Sequence, residues 1–179
     1  MFIDLVRTRR SIRRFQNRPV ENEQVDLLIE TALRAPSSRG FNPWEFVVVT
    51  EPETIARLSE AKPHGATFLK NAPLAIVVCA DPGKSDVWVE DAAIASIMLH
   101  LAATDLGLGS CWIQIRTRDH DQQQTAGDYV AGILGLRPGM VVEAILAIGY
   151  PDQDPKPHPR SSLQYEKVSF ERHGRLGRP

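Results

Sequence analysis

From about Asp86 to Leu106 the sequence has almost no polar face. Ala92, Ala93, Ile94, Ala95, Ile97, Met98, Leu99, Leu101, Ala102 and Ala103 fill successive turns. A helix that is apolar all round is buried on every side. In a chain of 179 residues, the size of one compact domain, that leaves two places for it: the centre of the core, or a contact with another subunit. His100 and Asp105 interrupt the run, so it does not read as a membrane span. A composition of 42% hydrophobic and 24% charged residues allows a sizeable core and argues against disorder.

Around this helix the remaining elements read in order. Phe2 to Thr8 is a short helix with Phe2, Leu5 and Val6 on one face. Pro19 blocks continuation, and Asn22 is placed to cap a helix whose buried face is Val25, Leu28, Ile29, Ala32 and Leu33. Pro36 ends that helix. Ser37 to Pro43 is a polar loop leading into a strand at Phe46–Thr50, and Thr50 with Glu53 matches a capping box for a following helix. Leu74 to Ala80 is a second strand, closed by Asp81-Pro82-Gly83. After the apolar helix, capped by Gly107 and Gly109, come a strand at Ser110–Ile115, a polar loop, a short helix at Tyr129–Leu134 and a strand at Val141–Ile148. From Asp152 to Pro179 the chain is proline-rich, which suits an extended path pinned to a surface; Val168 and Phe170 alternate as a short edge strand on a partner would. Strict βαβ alternation is missing, which favours α+β over a doubly wound sheet.

Charge is concentrated locally. Four arginines and one hydroxyl stand within the seven residues Arg9 to Phe15, predicted to cross the surface, although the formal net charge is only −1. Guanidinium groups are forked, permanently charged donors suited to phosphate oxygens. The near-neutral balance speaks against a nucleic-acid or membrane-surface partner and for a small anionic ligand. Cys79 and Cys111 lie in apolar stretches and read as buried free thiols. His100 reads as a satisfied core histidine; His64, His120, His158 and His173 show no metal spacing. Glu90 and Asp91 are adjacent and share no helix face, so they do not form a catalytic carboxylate pair. No N-terminal signal pattern is visible, and the expected setting is cytoplasmic and reducing.

The arginine segment is followed in order by Ala35-Pro-Ser-Ser38, Pro43-Trp-Glu-Phe-Val-Val-Val49, Ala72-Pro-Leu-Ala-Ile-Val-Val78, Gly107-Leu-Gly-Ser-Cys-Trp-Ile113, Ile148-Gly-Tyr-Pro151 and Pro159-Arg160. In this order they resemble the nitroreductase-like family of FMN-dependent oxidoreductases across nearly the whole chain. The resemblance implies a single FMN-binding domain spanning 1–179 with an α+β fold: a mixed, mostly antiparallel central sheet flanked by helices. It also implies a homodimer with two flavin sites at its interface, and an extended C-terminal arm, about 152–179, crossing to the partner.

Carried over by position, the resemblance puts Arg9 and Ser11 at the FMN phosphate and ribityl end, joined by Arg160 from the tail and by Arg10. Arg13 would lie near the N1 and O2 edge, where a fixed cation favours the anionic reduced flavin. Pro36, Ser37 and Ser38 would reach the isoalloxazine from the other subunit, backbone groups around Trp112 and Ile113 would meet the N5 and O4 side, and Asn71 is a further ring-edge candidate. The side chains of Trp44 and Trp112 are expected to be core. The chain departs from the family at Gly40, where Asn is common, at Asn42 (Gln) and at Gln114 (Gly), and it lacks a long insertion between its second and third strands. The implied activity passes hydride from NAD(P)H through flavin N5 to an acceptor such as a nitroaromatic or quinone, with no metal and no protein acid or base required. Diverged substrate loops instead imply a flavin-binding or regulatory dimer without significant turnover. Arg39, Arg116 and Arg118 are the cations at hand for a nicotinamide 2′-phosphate.

Overall fold

The computed structural model describes residues 1–177. Five helices and four strands follow in the order α1 (Phe2–Thr8), α2 (Asn22–Leu33), β1 (Trp44–Val49), α3 (Pro52–Leu58), β2 (Leu74–Ala80), α4 (Trp88–Asp105), β3 (Gly109–Gln114), α5 (Ala126–Leu134) and β4 (Val141–Gly149). The strands form one sheet in the order β1-β2-β4-β3, antiparallel at every ladder. A single parallel bridge, Ser11 to Ser110, adds the mixed character at the β3 edge. The fold is α+β, as expected.

Side-chain alternation along β2 divides the core. Leu74, Ile76 and Val78 face α2 and α4, meeting Leu28, Ala32, Ala92, Leu99 and Ala103. Ala75, Val77 and Cys79 face the other way, onto Ile55 and Leu58 of α3 and Ala126 and Val130 of α5. With both faces covered, β2 reads as a continuous apolar run, and every one of its residues is buried. The long helix α4 spans one face of the sheet and also packs on α1 and α2. Its Ile94 and Ile97 nevertheless remain exposed, as do Phe2, Ile3 and Val6 of α1.

Several local expectations are corrected. The segment after α1 does not simply cross the surface. Ile12 and Phe15 are buried in the core, the Ile12 N–H donates to the Ser110 carbonyl at 2.9 Å, and Phe15 bridges Pro151. A Cβ on Gly109 would lie 2.7 Å from the Ile12 side chain, so only glycine allows this approach. The cap of α2 is Glu21 rather than Asn22, and Leu33 is 57% exposed. For α3 the Thr50 capping box does not form. Glu51 is the N-cap, because Pro52 has no N–H to satisfy and its fixed φ sets the first turn. Helix α5 begins at Ala126, three residues before the periodic pattern does. Thr125 Oγ1 accepts from the Asp128 N–H at 3.1 Å and donates to its carboxylate at 2.7 Å.

Beyond β4 the chain is pinned back onto the arginine segment. The Asp152 N–H donates to the Arg14 carbonyl at 2.9 Å, and Gln153 Oε1 accepts from the N–H groups of Arg13 and Arg14. The Arg10 guanidinium donates to the Lys156 carbonyl. Further on, Arg160–Ser162 and Tyr165–Lys167 are 3-10 turns, and Val168 to Phe170 makes no strand within this chain.

Candidate functional site

Ser11 pairs with Ser110 at the head of β3, and the Ile12 N–H donates to the Ser110 carbonyl, so the arginine segment is held against this edge next to Cys111. Burial pushes the Cys111 thiol up, while the charges of Arg13 and Arg9 pull the other way. Lys62 is half-buried, and burial holds its ammonium below the usual range, with the Arg118 charge adding to that. His100 of α4 lies behind Ser110. Burial first, and the Arg9 charge second, lower the His100 pKa to about 4, so the imidazole is neutral. Its Nδ1 lies 2.7 Å from Ser110 Oγ, the satisfied buried histidine that was expected. The result is a basic edge: Arg9, Ser11 and Arg13 stand close together on a segment held against β3, with an uncharged histidine bonded to Ser110 behind it. That donor set suits a phosphate.

Arg13 itself is exposed, its guanidinium carbon 5.8 Å from the Phe68 ring centroid. Trp112 and Ile113 follow Cys111 on β3, with Ile113 in the core and Trp112 half-buried on the α4 face. Because β3 is an edge strand, one of this adjacent pair turns its backbone N–H and C=O to β4 and the other turns them outward. The Trp112 indole N–H donates to Gln114 Oε1 at 3.0 Å, and Gln114 Nε2 donates to the Arg116 carbonyl at 2.9 Å. The side chain that stands where the family often has glycine thus braces the tryptophan.

The Pro36–Ser38 loop lies elsewhere. Its Ser38 N–H donates to Asp91 in the first turn of α4, whereas Ser11 pairs with Ser110, whose hydroxyl meets His100 nine residues further along that helix. At 1.5 Å per residue the two points on the helix lie about 13 Å apart along the axis. Within one chain the loop and the arginine segment stay apart. Ser37 Oγ and Asn42 exchange bonds at 2.8 Å, and Arg39, Gly40 and Asn42 all adopt positive φ.

Arg10 points to the tail carbonyl of Lys156, and Arg160 is exposed at the head of its 3-10 turn. Asn71 ends the 3-10 turn Thr67–Asn71 and lines a cleft of about 630 Å³ with Arg14, Phe15, Lys70 and Asp152, not with Arg9, Ser11 or Arg13. A second cleft, about 320 Å³, contains Arg116, Arg118 and Asp128. Next to it the buried Glu143 occupies a bulge of β4, opposite the register shift at Val78/Cys79. Arg116 Nε lies 2.9 Å from the Glu143 carboxylate but is misaligned for a hydrogen bond, so the contact is an ion pair. Burial raises the Glu143 pKa against the pull of Arg116.

A four-stranded antiparallel sheet with a long apolar helix, and a basic segment laid along its edge strand, defines a class. The family model "Nitroreductase family" matches residues 6–63 and 60–150, and the chain belongs to that family. An FMN-dependent nitroreductase of Clostridium difficile R20291 superposes with a TM-score of 0.94 at 46% identity, over 95% of this chain and 99% of that one. A protein of Archaeoglobus fulgidus with the provisional name NADH dehydrogenase/NAD(P)H nitroreductase is 35% identical over 85% of this chain and 86% of its own length. A nitroreductase family protein of Clostridium difficile 630 superposes with a TM-score of 0.79 at 27% identity, over 96% of this chain and 99% of that one.

Proposed function

We propose that this protein is an FMN-dependent oxidoreductase that takes hydride from NAD(P)H and delivers it to a small-molecule acceptor such as a nitroaromatic or a quinone. The observation that carries this reading is the arginine and hydroxyl segment Arg9–Arg13 held against the β3 edge through Ser11 and Ile12 at Ser110. When bound, FMN supplies the hydride chemistry. The chain's own part is to hold and orient it. Arg9 and Ser11, with Arg10 and Arg160, take the phosphate and ribityl end; Arg13 stands at the N1 and O2 edge; the backbone groups that the Trp112–Ile113 pair turns outward, from one of the two residues, meet the N5 side. Pro36, Ser37 and Ser38 serve the site of a second copy, in keeping with the separation of the loop and the arginine segment along α4. Asn71, set apart in its own cleft, is the outlying member of this group.

A homodimer follows from the same reading. Ile94 and Ile97 on α4, Phe2, Ile3 and Val6 on α1, and Leu163, Tyr165 and Val168 in the tail are exposed apolar groups that a second copy would cover, with the C-terminal arm crossing to it. The test is a visible spectrum of the purified protein before and after anaerobic NADH or NADPH. Flavin bands that bleach are the expected result. Bands that persist would favour a flavin-binding dimer without turnover, the reading that Gln114 supports by filling space where the family has glycine. A protein that takes up no FMN on reconstitution overturns both.

A further inference from the structure

Beneath the Ser37–Ser38 loop lies a carboxylate with no ionic partner among the described residues. Asp91 is 2% exposed. Its Oδ1 accepts the Ser38 backbone N–H at 2.7 Å and its Oδ2 accepts the Ser85 hydroxyl at 2.9 Å. Ser85 Oγ in turn accepts the Val87 N–H at 3.3 Å, at the start of α4. Burying a carboxylate away from cations is costly unless its lone pairs are satisfied, and here hydrogen bonds and the helix N-terminal dipole do so. What the carboxylate ties to α4 is a loop whose other hydrogen bonds are largely its own, between Ser37 and Asn42 and across its 3-10 turn. Arg39 at φ 53° and Asn42 at φ 47° are non-glycine residues in the left-handed region, a conformation that surrounding contacts have to enforce. The anchoring point is in the first turn of α4, one turn before the exposed Ile94 and two before Ile97. The loop is therefore held in fixed relation to the apolar surface of α4.

We infer that Asp91 is a positioning residue: it fixes the Ser37–Ser38 loop to the interface helix so that, on dimerisation, the loop is delivered to the flavin ring held by the partner. This rests on the proposed flavin site, and it adds a residue outside the phosphate and ring-edge contacts. Asp91 acts through the Ser38 backbone and touches no ligand itself. Its removal should therefore disturb the ring end of the site and spare the phosphate end.

The experiment compares the FMN-reconstituted dimers of wild type, Asp91→Ala, Asp91→Asn and Asp91→Glu. Readouts are FMN affinity by fluorescence quenching, the position and fine structure of the visible flavin bands, the anaerobic rate of reduction by NADH or NADPH, and thermal unfolding. For Asp91→Ala the expected result is flavin bands moved towards those of free FMN and reduction about tenfold slower, with FMN affinity changed less than threefold. Asp91→Asn keeps an acceptor for the Ser38 N–H and should restore reduction to within threefold of wild type. If Asp91→Ala does not fold, Asp91→Glu carries the test, since it keeps the charge but displaces the acceptor by a methylene; perturbed flavin bands are expected. A folded Asp91→Ala dimer, or the Glu variant in its place, with wild-type bands and reduction overturns the inference alone, even where its melting temperature falls. Wild-type protein that binds no FMN overturns the functional reading and the inference with it.

Discussion

At Arg9 two demands meet, one from the helix behind it and one from the proposed flavin phosphate. Its charge helps to keep His100 neutral, and it shares the neighbourhood of Cys111 with Ser11 and Arg13. A charge-assisted hydrogen bond contributes about 1.5–3 kcal/mol. Arg9→Ala should therefore weaken FMN binding roughly ten- to hundredfold, and Arg160→Ala should act in the same direction. Flavin fluorescence titration checks both, and unchanged affinity in the two variants would remove them from the phosphate site. His100 makes a separate prediction about acid. Its pKa falls from 6.5 unfolded to about 4 folded, so between those values the unfolded state binds more protons and stability rises with pH. Stability contributed by the neutral ring is full above pH 6.5 and is lost as pH falls towards 4, amounting to about 3 kcal/mol at 1.36 kcal/mol per pH unit. Glu143, raised by burial, has the opposite sign: its contribution is present at low pH and is lost as pH rises through its folded pKa. Urea midpoints measured from pH 7 to 4.5 should fall more steeply for wild type than for His100→Asn; parallel curves would show that folding does not lower the His100 pKa.

At the scale of elements, the Arg9–Phe15 segment depends on the shape of β3. Gly109→Ala would drive a Cβ into Ile12 at 2.7 Å. Overpacking of this kind costs about 1–3 kcal/mol, and relief by moving the segment would shift Arg9 and Ser11 with it. Lower thermal stability together with weaker FMN binding is expected; a stability loss with unaltered affinity would show that the segment holds its place. Elements whose signal lies within their own residues were legible. The residue ranges expected for α1 and β2 are the observed ones, because continuous apolar runs and turn residues bound them. The isolated bridges at Ser11 and Phe15 were not legible, since their partners Ser110 and Pro151 are far away in sequence and their neighbours are arginines. Caps failed where backbone geometry outweighed side-chain preference, at Glu21 and Glu51. The site followed the same division. Motif order singled out Arg9, Ser11 and Arg13 as candidates, but the bond from Asp91 to the Ser38 loop arises only from a contact across the fold.

For the whole molecule, the long helix is both core and surface: Leu99 and Ala103 are buried while Ile97 is 45% exposed. On the proposed homodimer this exposed stripe is interface. Ile97→Glu would place a charge in it without touching the core of the single chain. The expected outcome is a folded monomer by light scattering that loses its flavin on gel filtration, because each site would lack the loop supplied by the other copy. An Ile97→Glu protein that remains dimeric and yellow would locate the interface elsewhere.

The pairing of Arg9–Phe15 with Ser110 and with the chain just after β4 also sets an order of events during synthesis. The arginine segment leaves the ribosome early, yet the residues that hold it, from Ser110 to Lys156, follow much later. At 5–20 residues per second the wait is on the order of ten seconds. Through that interval the segment has no edge strand to join. The most basic stretch of the protein is therefore fastened only after β4 and the residues just beyond it have been made, and the proposed anion site is completed no earlier than that.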